Sequence, residues 1–234
     1  STLKGVLPML LILLIAAGTI LETLFIMESY KRRSVRSILF KALASFCFVL
    51  LCMQCIRIRG QSEYAVLVFW GLVCGLLGDV LLALRFLWRR LHDLFLIAGT
   101  LAFFAGHILY ILAILNLSPG AWQYAIPVSL IALGVAGFYS NANKVNAGKI
   151  LPLGVVYIGT VLFMASCALS GALLTSSRAL FLFFIGGLCF SLSDNMLVVL
   201  SFGKNDNIYR NAVLHVLYYM AQIFIALSIL FHSL

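Results

Sequence analysis

The chain has 234 residues, of which 64% are hydrophobic and only 10% are charged, and its mean hydropathy is +1.13. These values exclude an ordinary water-soluble domain, because such domains carry far more charge and less apolar sequence. The net charge of +9 is interpreted as a membrane topology signal and an attraction to anionic lipid headgroups, not as a nucleic-acid-binding surface. The sequence therefore predicts an all-α, polytopic membrane protein that forms one transmembrane domain over residues 1–234.

Eight apolar runs are each roughly 20 residues or longer, the length that crosses the hydrocarbon core of a bilayer as a helix. In chain order the predicted helices cover about 5–28, 37–56, 65–87, 93–115, 121–140, 150–173, 178–202 and 209–232. The first run is too long for a signal peptide and lacks a small-residue cleavage pattern followed by soluble sequence. The fifth run contains Pro127, Gly134 and Gly137 and leads into a polar loop.

The basic residues predict the orientation in the membrane. Eleven lie in or beside the loops after the odd-numbered helices: Lys31, Arg32, Arg33, Arg36, Arg85, Arg89, Arg90, Lys144, Lys149, Lys204 and Arg210. Four lie on the opposite side: Lys4, Arg57, Arg59 and Arg178. The positive-inside rule therefore predicts both termini outside the cytoplasm. Short loops favour a bacterial plasma membrane over the endoplasmic reticulum.

Two aspartates, Asp79 and Asp194, lie inside otherwise apolar helices, and Glu22 is comparably deep in apolar sequence. An intramembrane carboxylate is costly unless it faces a polar cavity, so it predicts a functional site. At 1.5 Å per residue, Asp79 is about 9 Å from Arg85 and Asp194 about 15 Å from Lys204. The sequence thus predicts a polar cavity that opens toward the basic side. No role is assigned to Glu22.

An internal repeat relates the two aspartates. An offset of 115 residues aligns Asp79 with Asp194. The same offset aligns three further pairs of identical residues: Gly71 with Gly186, Cys74 with Cys189 and Leu82 with Leu197. An offset of 108 aligns three more: Lys41 with Lys149, His107 with His215 and Tyr110 with Tyr218. The pattern indicates a parallel repeat of four helices, as in some transporters, although apolar sequence also produces chance matches.

Four short motifs follow one another along the chain: Gly78-Asp79-Val-Leu-Leu82, Gly99…Phe103-Phe104-Ala-Gly-His107-Ile-Leu-Tyr110, Gly186-Gly-Leu-Cys-Phe190-Ser-Leu-Ser193-Asp194 and Tyr218-Tyr219-Met-Ala-Gln222. Together they resemble the lysoplasmalogenase (YhhN-like) integral membrane family, over nearly the whole chain. Tyr157 also stands where that family tends to carry a tyrosine, whereas Lys41-Ala42 departs from its usual Lys-Pro. The resemblance implies hydrolysis of the vinyl ether bond of a lysoplasmalogen or related lysolipid within the bilayer, without a cofactor or metal.

Vinyl ether hydrolysis needs one carboxylic acid to protonate the alkene and one carboxylate to stabilise the cation or activate water, as in glycosidases. Asp79 and Asp194 are the predicted catalytic pair, in either order. Six residues are candidates for orienting water and the glycerol hydroxyl: His107, Tyr110, Tyr157, Ser193, Tyr219 and Gln222. Lys41 and Arg210 are candidates for the headgroup phosphate. Tyr218 is interpreted as an interface or packing residue, and His215 as interfacial.

Three alternatives stay open. A proton- or ion-coupled transporter would use the same aspartates and would move solute without lipid turnover. An intramembrane aspartyl protease also uses two aspartates, but the glycine spacing in Gly75-Leu-Leu-Gly78-Asp79 does not match its signature. A metal-dependent lipid hydrolase built on Asp79, Asp194 and His107 would lose activity in chelators, although the four histidines lack metal-site spacing.

Overall fold

The structure, a computed structural model, describes the backbone of residues 2–31, 34–203 and 208–232. These ranges form eight α-helices: α1 (Thr2–Lys31), α2 (Val35–Arg59), α3 (Glu63–Leu84), α4 (His92–Leu117), α5 (Ala121–Ala142), α6 (Leu151–Thr175), α7 (Arg178–Phe202) and α8 (Ile208–Ser228). Short 3₁₀ turns occur at Arg89–Leu91, Gly148–Ile150 and Ile229–Phe231, and no β-strand occurs in the described ranges. The all-α prediction is confirmed, and Pro127 lies inside α5 without ending it.

All eight helices are long and apolar enough to cross a membrane. Many large apolar side chains on the outside of the bundle are exposed, most clearly on α5, where Phe138 is 75% and Ile131 71% exposed. Such a surface is stable against lipid but not against water. The protein is a multi-pass membrane protein.

Local capping chemistry, which hydropathy does not record, sets several helix ends. Ser34 caps α2 by accepting from the backbone N–H of Ser37, and the Ser37 side chain closes the capping box. Ser62 accepts from Ala65 at the start of α3, and Ser177 caps α7. Because a cap satisfies backbone N–H groups that have no partner inside the helix, α2 begins at Val35, two residues before the predicted start.

The helix packing repeats between the two halves of the chain. Consecutive helices pack on each other within each half, and the two most extensive contacts between the halves are those of α2 with α8 and of α4 with α6. When the two halves are exchanged, α2 takes the place of α6 and α8 takes the place of α4. The α2–α8 contact then becomes the α4–α6 contact. This is the packing that a parallel four-helix repeat predicts. The halves differ at the periphery, since α1 also packs on α8 whereas α5 packs mainly on α6.

One end of the bundle, here called the basic end, comprises the C-termini of the odd-numbered helices and the N-termini of the even-numbered helices. The described residues Arg36, Arg85, Lys144, Lys149 and Arg210 lie at or beside it. Three residues used for the orientation lie outside the described residues: Arg32, Arg33 and Lys204. The cytoplasmic location of this end stays a prediction. The interior toward the opposite end is filled by large buried side chains such as Tyr64, Tyr110 and Phe183.

Candidate functional site

A cavity of about 740 Å³ lies in the basic half of the bundle, and residues from every helix except α5 line it. Its outer part carries hydroxyl and basic groups, including Ser29, Ser37 and Arg85. Its inner part contains a set of polar side chains: Lys41, Asp79, Tyr157, Ser193, Asp194 and Tyr218. Leucine and phenylalanine side chains form much of the wall between them. The basic-end cavity thus joins an apolar passage to a polar floor.

Asp79 projects from the last third of α3 and is only 6% exposed. Its Oδ2 accepts a hydrogen bond from the Tyr218 hydroxyl on α8 at 2.7 Å and another from the Ser45 hydroxyl on α2. The Lys41 Nζ lies 3.6 Å from Oδ1. Two hydroxyl donors and a cation therefore stabilise negative charge on this carboxylate.

Lys41 is itself held by a second buried carboxylate. Its Nζ lies 2.8 Å from Oε1 of Glu22 on α1, and both side chains are about 95% buried. The cation also sits 4.3 Å from the centre of the Tyr218 ring, within cation–π range. His215 Nδ1 lies 3.6 Å from the same Glu22 oxygen. Lys41 is thus enclosed between Glu22 and Asp79, which places Glu22 in the polar network.

Asp194 has a simpler environment. It is 5% exposed, and its Oδ2 accepts a hydrogen bond from the Tyr157 hydroxyl on α6 at 2.6 Å. Among the described side chains, no lysine or arginine lies within 4 Å of it. The neighbouring Ser193 donates to the backbone carbonyl of Leu214 at 2.9 Å, which ties α7 to α8. Asp194 therefore combines one hydroxyl donor with a largely apolar surrounding.

Both aspartates line the basic-end cavity, one from each half of the chain. Asp79 lies five residues before the end of α3, and Asp194 lies eight before the end of α7. These spacings correspond to about 8 Å and 12 Å along the helix axes. The 115-residue offset thus relates two carboxylates that face the same space at similar depth.

A comparison with known families finds that the YhhN family model matches residues 36–229. The chain belongs to the YhhN family, the family of lysoplasmalogenases. Comparisons with curated proteins and with solved structures give no match. The matched residues contain both aspartates, Lys41 and Tyr218, whereas Glu22 lies on α1, ahead of the YhhN match.

Two predicted site residues of this YhhN protein lie behind the cavity wall. The Tyr110 hydroxyl donates to Gln222 Oε1 at 3.1 Å, and Gln222 Nε2 donates to the Tyr218 hydroxyl at 2.9 Å. A chain of hydrogen bonds therefore runs from Tyr110 to Asp79. The packing requires small residues on α3, because a Cβ on Gly71 would lie 2.2 Å from the Tyr110 ring and one on Gly75 2.8 Å from Gln222.

His107 is fully buried but does not line the cavity. Its Nδ1 bonds the Phe103 carbonyl at 2.6 Å, and its Nε2 has no hydrogen-bond partner among the described residues. The ring packs edge-on against Phe190 and against Tyr157, with centroids 5.6 Å apart in the latter pair. His107 therefore contacts the tyrosine that binds Asp194, and not the cavity.

The positions of two adjacent tyrosines are the reverse of those expected from the sequence. Tyr218, expected to be a packing residue, lines the cavity and donates to Asp79. Tyr219, expected at the site, points the other way, and its hydroxyl abuts Gly18 on α1. Neighbouring residues on a helix differ by about 100° in direction, since a turn has 3.6 residues. The sequence pattern does not determine the rotation of α8 about its axis, so it does not show which of the two tyrosines faces the cavity.

Two further expectations concern residues near the basic end. Arg210 does not line the cavity and instead donates to the Asn143 side chain at 3.4 Å. His215, expected to be interfacial, lines the cavity beside Glu22. In the described part of the chain, no group of three His, Cys, Asp or Glu side chains has an arrangement that could hold a metal ion.

Proposed function

We propose that this YhhN protein is a membrane-embedded hydrolase that cleaves the vinyl ether bond of a lysoplasmalogen, or of a related lysolipid, to a fatty aldehyde and a glycerophospho-alcohol. The observation that supports it best is the pair of buried aspartates lining one cavity with partly apolar walls. A lysolipid has one long apolar chain and a polar headgroup, which suits a passage that is apolar on its walls and hydroxyl-rich at its mouth. Membership of the family of lysoplasmalogenases agrees with this chemistry.

The different surroundings of the aspartates suggest a division of labour. Asp194, which accepts from the Tyr157 hydroxyl and has no cation within 4 Å among the described side chains, acts as the general acid. Asp79, with two hydroxyl donors and Lys41, stays ionised and stabilises the positive charge that develops on the substrate. Pairs of carboxyl groups in unlike environments divide acid and base roles in this way.

The reaction then follows from the electron demand of a vinyl ether. Asp194 gives its proton to the alkene carbon remote from oxygen, and the ether oxygen donates electron density to form an oxocarbenium ion. Water adds to the carbon next to oxygen and loses a proton to a carboxylate, giving a hemiacetal. The hemiacetal collapses with a proton transfer to the glycerol oxygen, which releases the aldehyde and regenerates the acid. One water molecule is consumed, and no redox partner is required.

The decisive experiment uses the purified protein and three lysolipids that share one headgroup but carry a 1-alkenyl, 1-acyl or 1-alkyl chain. Aldehyde release from the alkenyl lipid alone supports the proposal. In D₂O the aldehyde should carry one deuterium on the carbon beside the carbonyl, because the enzyme protonates that carbon. In H₂¹⁸O the glycerophospho-alcohol should stay unlabelled, because the bond between the alkenyl carbon and oxygen breaks.

Two other outcomes would overturn the proposal. Release of fatty acid from the acyl lipid, at a rate equal to aldehyde release from the alkenyl lipid, would indicate an esterase. Proton- or ion-coupled solute flux in proteoliposomes, with no turnover of any of the three lipids, would indicate the transporter alternative, which uses the same intramembrane aspartates.

A further inference from the structure

We infer that Arg85 binds the phosphate of a lysophospholipid headgroup in the outer part of the basic-end cavity. This subsite depends on the proposed function, because the position of the headgroup follows from a vinyl ether held at Asp79 and Asp194. It replaces the two basic residues that the sequence had favoured for the phosphate, Lys41 and Arg210.

The structure distinguishes these three cations. Lys41 is enclosed between Glu22 and Asp79, so its charge is already balanced. Arg210 does not line the cavity. Among the described lysines and arginines, Lys41 and Arg85 line it. Arg85 is 8% exposed, and its guanidinium carbon lies 4.4 Å from the centre of the Phe86 ring. Arg85 is therefore a cation that the cavity wall holds in place near the mouth.

The distance from the aspartates suits a glycerophospholipid. Arg85 follows Asp79 by six residues, about 9 Å along the axis by helical rise, and both residues line the cavity. Three glycerol carbons separate the ether oxygen of a lysoplasmalogen from its phosphate. A phosphate attached to a substrate at Asp79 therefore lies one to two helical turns nearer the mouth, within reach of a flexible arginine side chain.

The surroundings of Arg85 also favour an anion. Among the described lining residues, the carboxylates are Asp79 and Asp194, both at the inner end. The outer lining contributes neutral or basic donors: Ser29, Ser34, Ser37, His92, Ser201 and Asn211. Two of them already have carboxylate partners outside the lining, since Ser34 donates to Glu28 and His92 lies 3.0 Å from Asp93. Hydroxyl and amide groups donate to phosphate oxygens, and the planar fork of arginine matches phosphate geometry. The cavity thus places anion-binding groups outside and acid/base groups inside.

The test measures binding and not turnover, so it is independent of hydrolysis. The ligands are a 1-alkyl lysophospholipid, which has no vinyl ether to cleave, and the matching 1-alkylglycerol, which has no phosphate. Arg85→Met should weaken binding of the phospholipid about 10- to 100-fold, the range for losing hydrogen bonds to a charged group. Binding of the alkylglycerol should not change. Arg85→Lys, which keeps the charge but loses the fork, should fall between Arg85→Met and the unsubstituted protein.

Matched variants and competitors make the result specific. Arg90→Met, at an exposed arginine in the same turn region, should leave binding of both ligands unchanged. Inorganic phosphate should compete only weakly with the phospholipid, because it lacks the chain. Strong competition by inorganic phosphate would show a free-anion site and would overturn the headgroup assignment.

Three further results would overturn the subsite. Arg85→Met could weaken binding of both ligands equally, or Arg210→Met could weaken binding of the phospholipid alone while Arg85→Lys does not. The third is that the unsubstituted protein binds the phospholipid no more tightly than the alkylglycerol. Thermal unfolding of each variant checks that it is folded. If Arg85→Met does not fold, binding by Arg85→Lys is used for the test. Absence of aldehyde release would overturn the proposed reaction alone, because binding of the uncleavable lipid is decided separately.

Discussion

Asp79 and Asp194 occupy corresponding places in the two halves of the chain and are almost equally buried, at 6% and 5% exposure. Their neighbours differ. Asp79 has Ser45, Tyr218 and the Lys41 cation, whereas Asp194 has the Tyr157 hydroxyl. A repeated scaffold thus delivers two like groups to one cavity, and the helices around them make the groups unlike. Chemistry that needs an acid and a base uses that difference.

The largest expected effect comes from removing either carboxylate. Asp79→Asn and Asp194→Asn should each lower the turnover of alkenyl lysolipid by about 10²- to 10⁴-fold, the usual contribution of general acid–base catalysis. The double variant should be little worse than the single ones, because groups that act together are strongly non-additive. Aldehyde release by the purified variants is the measurement.

Glu63→Gln is the matched control for these variants, because Glu63 binds the Asn116 side chain at the far end of the bundle. It should keep normal turnover. If Asp194→Asn retains near-normal turnover, the two aspartates do not form the proposed pair.

The next effect tests the Lys41 cation beside Asp79. Lys41→Met leaves two buried carboxylates uncompensated and should destabilise the fold by about 3–5 kcal/mol. Glu22→Gln combined with Lys41→Met removes one of the two uncompensated carboxylates and should recover part of that stability, while turnover stays low because Asp79 still lacks its cation. Unfolding in detergent and aldehyde release measure the two properties separately.

Lys149 lies at the repeat position of Lys41 but is exposed, so Lys149→Met serves as the control and should change neither property. A double variant no more stable than Lys41→Met would contradict the pairing of Glu22 with Lys41.

A smaller effect distinguishes the tyrosines. Tyr157→Phe removes the Tyr157 hydroxyl that donates to Asp194. That hydroxyl stabilises the carboxylate that forms when Asp194 gives up its proton, so turnover should slow about tenfold, the low end of the range for a hydrogen bond to a charged group. Tyr218→Phe should cost less, because Asp79 keeps Ser45 and Lys41. Tyr219→Phe is the internal control and should have no effect on turnover. A larger loss in Tyr219→Phe than in Tyr218→Phe would restore the assignment made from the sequence.

The sequence predicts the eight helices well, because bilayer thickness sets a minimum apolar length and loops interrupt it visibly. It also predicts Asp79 and Asp194 as site residues, since the cost of an intramembrane charge makes such residues rare, and both line the cavity. It does not identify the partners of those residues. Glu22 and Lys41 are 19 residues apart on different helices, and their contact depends on how α1 and α2 are rotated, which hydropathy leaves undetermined.

The repeat offsets illustrate the same limit. The 115-residue offset relates two aspartates that share a cavity. The 108-residue offset relates His107, buried behind Tyr157, to His215, which lines the cavity beside Glu22. Positions related by one offset therefore do not share an environment, because the side chains around them differ.

The pairing of Glu22 with Lys41 also bears on how the chain enters its membrane. A single unpaired charge inside an inserting helix carries a free-energy cost. Because α1 and α2 are consecutive and pack together, the carboxylate and the ammonium meet within the first hairpin. The hairpin can leave the translocation machinery with these two intramembrane charges already paired, before any later helix exists. Correct biogenesis then favours joint insertion of α1 and α2, and a chain truncated to begin at α2 would have to insert Lys41 alone.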